Sequence, residues 1–233
     1  MSKFGCLAAL GLVIGLAVAS GGARADDQEI IERIYQQVST FEERYPLRVS
    51  RRKMEVREID PDSGDVRKTA TSLQDVEMRV GGAPKIEILE CQIDGQDAEP
   101  QACKRRENSR EPLYRIFGPK GRDHYRLELL PFEGPNASDV YRLRVLPLER
   151  TARHFDGVMT FDRESLRLLS YRGSLADYPF GLKDFNLQID FDEWEGKPVA
   201  ATTRLEMTLY VPLILNVKVI SQSVAFDQRL ISE

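Results

Sequence analysis

The chain has 233 residues, 42% of them hydrophobic and 30% charged, with a formal net charge of -4. Mixed signs with a mild acidic excess exclude nucleic acid as a partner and general attraction to anionic membranes. Three cysteines and two histidines leave little material for metal chemistry.

The first twenty-five residues do not belong to the fold on this reading. Lys3 lies in a short polar start, residues 6–20 are almost wholly apolar and small, and Ala23-Arg24-Ala25 places small residues at cleavage positions. This pattern predicts a signal peptide over residues 1–25, with an apolar run too short for a comfortable membrane span. An uncleaved membrane anchor is the alternative. Cys6 makes no lipoprotein site, because Ser2-Lys3-Phe4-Gly5 stands where an apolar, then small, run is needed. Cleavage near Ala25 leaves residues 26–233 as a single exported, periplasmic domain. In that oxidising compartment the two remaining cysteines, Cys91 and Cys103, predict a disulfide. The alternative of a metal site lacks a nearby histidine.

Asp26 to Tyr45 predicts an amphipathic helix, with Ile30, Ile31, Ile34, Tyr35, Val38 and Phe41 at helical spacing and Pro46 as its stop. Acidic residues crowd the expected first turn, where the helix dipole favours them. Strand-like segments follow at Val49–Ile59, Val66–Val80 and Lys85–Ile93, separated by Asp60-Pro61-Asp62-Ser63-Gly64-Asp65 and by Gly81-Gly82. The polar stretch from Asp94 to Glu111 reads as a surface insert tied down by the disulfide. Its basic run Lys104-Arg105-Arg106 and the earlier Arg51-Arg52-Lys53 read as solvated faces. Leu113–Phe117 and Tyr125–Leu130 flank Gly118-Pro119-Lys120-Gly121 and predict a hairpin.

Tyr125-Arg126-Leu127-Glu128-Leu129-Leu130-Pro131 is echoed by Tyr141-Arg142-Leu143-Arg144-Val145-Leu146-Pro147, as expected of neighbouring strands in matched surroundings. Asn136-Ala137-Ser138 fits a glycosylation sequon, which carries little weight in a chain of bacterial appearance. His154–Phe161 and Leu166–Leu175 predict a further hairpin. The loop Tyr178-Pro179-Phe180-Gly181-Leu182 is unusual in carrying three large apolar side chains. It either folds back over the sheet, or forms an apolar tip that touches lipid or a partner.

The last third has the clearest pattern. Phe185, Leu187, Ile189 and Phe191 alternate with polar residues, Glu195-Gly196-Lys197-Pro198 reads as a turn, and from Leu205 to Val219 every odd position is apolar. Strict period-two alternation marks strands with one dry face. Phe185, Leu187, Ile189, Phe191, Leu205, Met207, Leu209 and Val211 therefore share that face and are the candidate lipid-binding residues.

About ten strands at ~4.8 Å each make a sheet on the order of 48 Å wide. A helix of roughly 18 residues is ~27 Å long and ~10–12 Å across, too small to cover one face. Three arrangements remain: a barrel filled by its own side chains, a partly curled sheet that keeps an apolar cavity, or a sheet that meets another protein.

The exported helix leading into antiparallel strands, Gly157-Val158-Met159-Thr160-Phe161-Asp162 with its hairpin into Leu166–Tyr171, and Gly196-Lys197-Pro198-Val199 before a long alternating hairpin are similar to the LolA/LolB-type superfamily of periplasmic lipoprotein carriers. Its outer-membrane lipoprotein-sorting-like members resemble the chain most. The resemblance implies a mainly β (α+β) fold: a curved antiparallel sheet, or incomplete β-barrel, with an N-terminal helix packed on its concave face. It implies a carrier holding lipid or lipoprotein acyl chains in that face, working as a monomer alongside envelope membrane proteins, without a cofactor. Tyr178, Phe180 and Leu182 would correspond to the projecting apolar loop of the receptor branch. The alternative is a periplasmic protein-interaction or envelope-sensor module with no lipid ligand.

An enzyme is not expected. His124 and His154 each lack a second His or Cys at ligand spacing, and no nucleophile elbow, phosphate loop or zinc helix occurs.

Overall fold

The structure, a computed structural model, describes residues 21–44, 48–78, 85–104, 116, 121–131 and 138–230. The core of the expected leader, Tyr45 and Pro46, the Gly81-Gly82 turn, Arg105 to Glu111 and the Asn136 sequon lie outside them.

The chain forms one antiparallel sheet. Its strands are β1 (Arg48–Ile59), β2 (Val66–Met78), β3 (Lys85–Ile93), β4 (Gln96–Asp97), β5 (Tyr125–Leu130), β6 (Val140–Pro147), β7 (Phe155–Asp162), β8 (Leu168–Leu175), β9 (Leu182–Trp194), β10 (Lys197–Val211) and β11 (Leu215–Leu230). Their spatial order is β4-β3-β2-β1-β11-β10-β9-β8-β7-β6-β5. Every step but one is a hairpin between consecutive strands; the exception places β11 beside β1. The sheet is curved and does not close, so the expectation of an incomplete barrel holds. Bulges between Arg51 and Arg52, Leu73 and Gln74, and Ala200 and Thr202 interrupt the longest strands. Such insertions bend a strand and raise its twist, which rolls a wide sheet into a trough.

Helix α1 (Gly21–Arg44) lies in the trough. It begins five residues before the expected start, at Gly21, and of the added residues Ala23, Arg24 and Ala25 are strong helix formers. Asp26 and Asp27 thus fall in the second turn, and the expected cleavage point lies inside the helix. Ile31, Ile34, Tyr35 and Val38 form one buried cluster with Leu127, Leu143, Val145, Phe155, Met159, Phe161, Tyr171 and Phe185. The helix therefore covers the β5–β9 half of the concave face. Arg122 pins it from the side: its Nη2 donates to both Glu32 carboxylate oxygens at 2.8 Å, and the guanidinium stands 4.1 Å from the centre of the Tyr35 ring.

The convex face is polar and cross-linked. Arg51 donates through Nε and Nη2 to both oxygens of Asp75 at 2.8 and 3.0 Å, and Arg229 adds a third bond at 2.7 Å. Arg204 and Lys218 both engage Glu206, and Arg172 bonds Asp190.

Two expectations are corrected. The alternating run from Thr203 to Ile220 is two strands, as such alternation allows, but Leu213, placed on the dry face by its odd number, stands instead at the tip of the β10–β11 turn. The strand expected at Leu113–Phe117 lies outside the described residues apart from Ile116, which is in a 3-10 turn; Gly121–Asp123 form another, and among the described residues β5 pairs with β6 alone. Arg51-Arg52-Lys53 is not one solvated face, since Arg52 turns the other way from Arg51 and donates to Ser50 Oγ at 3.2 Å. The matched segments at Tyr125 and Tyr141 are neighbouring strands as expected, paired Leu127 to Val145 and Leu129 to Leu143.

Candidate functional site

The concave face divides in two. Under α1 the space is filled: Phe185 is 3% exposed within the helix cluster. Leu187, Ile189, Phe191, Leu205 and Met207 pack half-buried against that cluster. Leu187 faces Leu205 across the β9–β10 ladder, and Phe185 faces Met207, so the register brings these candidates onto one surface. Met207 also joins Leu209 against a second cluster of Val56, Val217 and Val219. Val211 is half-buried at the strand end.

Among the described residues, the buried cluster that α1 joins ends at that seam. A groove runs along β1, β2 and β3, with α2 (Pro100–Cys103) as its other wall. Its larger part holds about 570 Å³ and is lined by Met54, Gln74, Ile86 and Ile88 facing Pro100, Gln101 and Cys103. A smaller part of about 160 Å³ continues past Met54, Val56 and Ser72 to Glu58 and Lys68, beside Ala102. Cavities of a few hundred to a thousand Å³ are the usual size for small-ligand sites. Charged residues stand at both mouths, Lys85, Glu87 and Lys104 at one and Glu58 and Lys68 at the other. Between them Met54, Val56, Ile86, Ile88 and Pro100 give the wall its apolar side chains, while Ser72, Gln74 and Gln101 are polar, with a 2.7 Å bond from Gln74 Nε2 to Ser72 Oγ. An elongated ligand with an apolar body fits that distribution.

The insert that carries α2 is held by the Cys91–Cys103 disulfide, whose Cα atoms are 5.8 Å apart. The expected pairing is present, and it has a consequence that spacing did not reveal: the bond fastens one wall of the groove to β3. The β1–β3 wall carried a weak signal, since Met54 and Val56 alternate with charged residues, as do Ile86 and Ile88. Those runs are short, and Ser72 and Gln74 on the adjoining strand gave no apolar signal.

The Tyr178–Leu182 loop does not fold back over the sheet. Phe180 is 91% exposed, Tyr178 is exposed with its hydroxyl 2.8 Å from Ser174 Oγ, and Leu182 opens β9. His124 and His154, unpaired in the sequence, come together with ring centres 5.4 Å apart. No group of three metal-ligating side chains gathers among the described residues. Burial pushes the Tyr171 hydroxyl far above its usual range, and the nearby Tyr125 and Asp156 add to it, so Tyr171 stays neutral in the core.

No family profile matches the chain, and no curated protein matches it. Solved structures do. The fold is similar to an outer membrane lipoprotein-sorting protein domain from Vibrio parahaemolyticus, at 13% identity and a TM-score of 0.43 over 88% of this chain and 92% of that one. It is similar to a LolA superfamily protein from Nitrosomonas europaea, at 13% identity and 0.42 over 89% and 94%. It is also similar to a DUF1329 family protein from Desulfovibrio piger, at 13% and 0.47 over 86% and 92%. At these values the likeness is one of fold alone.

Proposed function

We propose that the chain is a periplasmic, monomeric carrier of lipid or lipoprotein acyl chains, which lie in the part of the concave face that α1 leaves uncovered. One observation carries the reading: the groove of about 570 Å³ between Met54, Ile86 and Ile88 on the sheet and the disulfide-held α2. An acyl chain gains roughly 0.8 kcal/mol per buried CH₂ and asks for no placed charge, which suits a wall with charges only at its mouths. Met54 and Met207 add side chains that adapt to different chains. Phe185, Leu187, Ile189, Phe191, Leu205, Met207, Leu209 and Val211 take two roles here. The β9 members pack against the helix-filled half, and Met207 and Leu209 pack against the neighbouring cluster of Val56, Val217 and Val219. Organic extraction of the purified protein followed by mass spectrometry tests the reading: stoichiometric lipid or lipopeptide supports it, and a clean extract overturns it.

The alternative, a protein-interaction module without lipid, is favoured by the sheet's open ends. Among the described residues β5 pairs on one side only, and such an edge can accept a strand from another chain.

A further inference from the structure

The large apolar side chains that the protein leaves in water are not scattered. Eleven are exposed among the described residues, and eight of them, Val66, Leu148, Tyr178, Phe180, Tyr210, Leu213, Ile214 and Leu215, lie along one rim of the sheet. The strand directions bring four turns to that rim: β1–β2, β6–β7, β8–β9 and β10–β11. The other three, Leu89, Val224 and Phe226, lie within strands away from it.

The projecting tips are Phe180 at 91%, Leu213 at 108% and Ile214 at 82% exposure. Their two turns are tied together, since the Tyr210 amide donates to the Gly181 carbonyl at 2.8 Å. Leu213 adopts a φ of +63°. That backbone region favours Gly or Asn, and a branched side chain there costs free energy. Neither turn geometry nor packing accounts for a leucine at that position, so its use lies outside the folded chain.

We propose that this rim docks on a phospholipid bilayer, with Phe180, Leu213 and Ile214 entering the acyl boundary. A bilayer fits better than a protein partner. The exposed apolar residues are spread over four turns along the rim; a stable protein interface buries ~800 Å² per partner as one surface, whereas a fluid interface closes around each tip. Tyr178 and Tyr210 stand half-exposed behind the tips, where tyrosine settles at headgroup level. Charges along the rim are mixed, with Arg150, Arg153 and Lys183 against Glu149, Asp177, Asp184 and the Asp60, Asp62 and Asp65 carboxylates of the β1–β2 turn, so docking is led by apolar insertion and needs no anionic lipid. The Glu58–Lys68 mouth of the groove opens toward the same rim. Docking there would present that mouth to the membrane; this role in cargo exchange rests on the carrier reading, while docking itself does not.

Co-sedimentation of the full exported chain with phosphatidylcholine vesicles at high salt tests it. Wild type should sediment, and the combined variant Phe180→Ser, Leu213→Gly, Ile214→Ser should lose about tenfold or more in partitioning. These sites are exposed, and Leu213→Gly relieves the backbone, so folding is not at stake. Phe226→Ser, exposed elsewhere, should sediment as wild type. Failure of wild type to sediment, wild-type behaviour of the combined variant, or an equal loss in Phe226→Ser overturns the proposal. A clean organic extract together with rim-dependent sedimentation upholds docking while removing the carrier reading.

Discussion

Tyr171 lies across Gly157 on the neighbouring strand: a Cβ at Gly157 would stand 2.8 Å from Tyr171 Cε2 and 2.5 Å from the Arg172 carbonyl oxygen. Gly157 pairs with Gly173 in the β7–β8 ladder, so two strands present bare backbone where the fully buried tyrosine is seated. Phe155 meets the Tyr171 ring edge to face at 6.2 Å. Because the obstructing atoms include main chain, they cannot turn aside. Gly157→Ala should therefore cost about 1–3 kcal/mol, despite the entropic gain that the exchange brings elsewhere. Urea unfolding of the two proteins measures it, and equal midpoints would refute the packing.

The disulfide should matter to both stability and site. Cys91 and Cys103 are 12 residues apart, and closing so short a loop is worth roughly 3 kcal/mol in the chain-entropy model. Since α2 faces the groove through Cys103, opening the bond also frees that wall. Thermal unfolding with and without reductant should show a lower midpoint on reduction, and bound lipid should fall in the Cys91→Ser, Cys103→Ser double variant. An unchanged midpoint would mean that the bond constrains nothing.

Acid should weaken the convex face. The hydrogen bonds from Arg51 to Asp75, with the charges of Arg51 and Arg229 beside them, hold the Asp75 carboxyl below its usual range against the opposing effect of burial. Glu206 is lowered in the same way by hydrogen bonds from Arg204 and Lys218. A group with a depressed folded-state pKa stabilises the protein above its unfolded value, about 3.9 for Asp, and loses that contribution as pH falls through the folded value. Stability should thus decline below about pH 4, with a shallower decline in Asp75→Asn. A variant whose acid limb runs parallel to wild type would show that Asp75 is not the titrating group.

What could be read beforehand follows from period and reach. The β9–β10 alternation was legible because Phe185 to Phe191 and Leu205 to Val211 repeat every second residue over two full strands. The turn at Glu195-Gly196 was legible from its residue types, and both residues take positive φ, 51° and 73°. Leu213 was misread because period two carries no mark of the turn that interrupts it. The groove was missed for a different reason. Its walls come from Met54, Ile88 and Cys103, separated in sequence and joined only by the β1–β2–β3 ladder and the disulfide. The gathering of Phe180, Leu213 and Ile214 on one rim likewise depends on strand direction, which no local window contains.

Filling the groove should separate cargo from core. Ala102 is exposed on α2 and borders the smaller part of the groove, about 160 Å³, opposite Met54 and Val56. Ala102→Trp places a ring of roughly 150–250 Å² of surface there without touching the helix-covered cluster of Ile34, Met159 and Tyr171. The unfolding midpoint should stay close to wild type while co-extracted lipid falls severalfold. Leu209→Arg supplies the complementary case, because it puts a charge against the cluster of Val56, Val217 and Val219, of which Val56 also lines the groove, and should abolish lipid pick-up. Folded Ala102→Trp and Leu209→Arg proteins with wild-type lipid content would show that acyl chains, if bound, lie elsewhere, and the groove would lose its assignment.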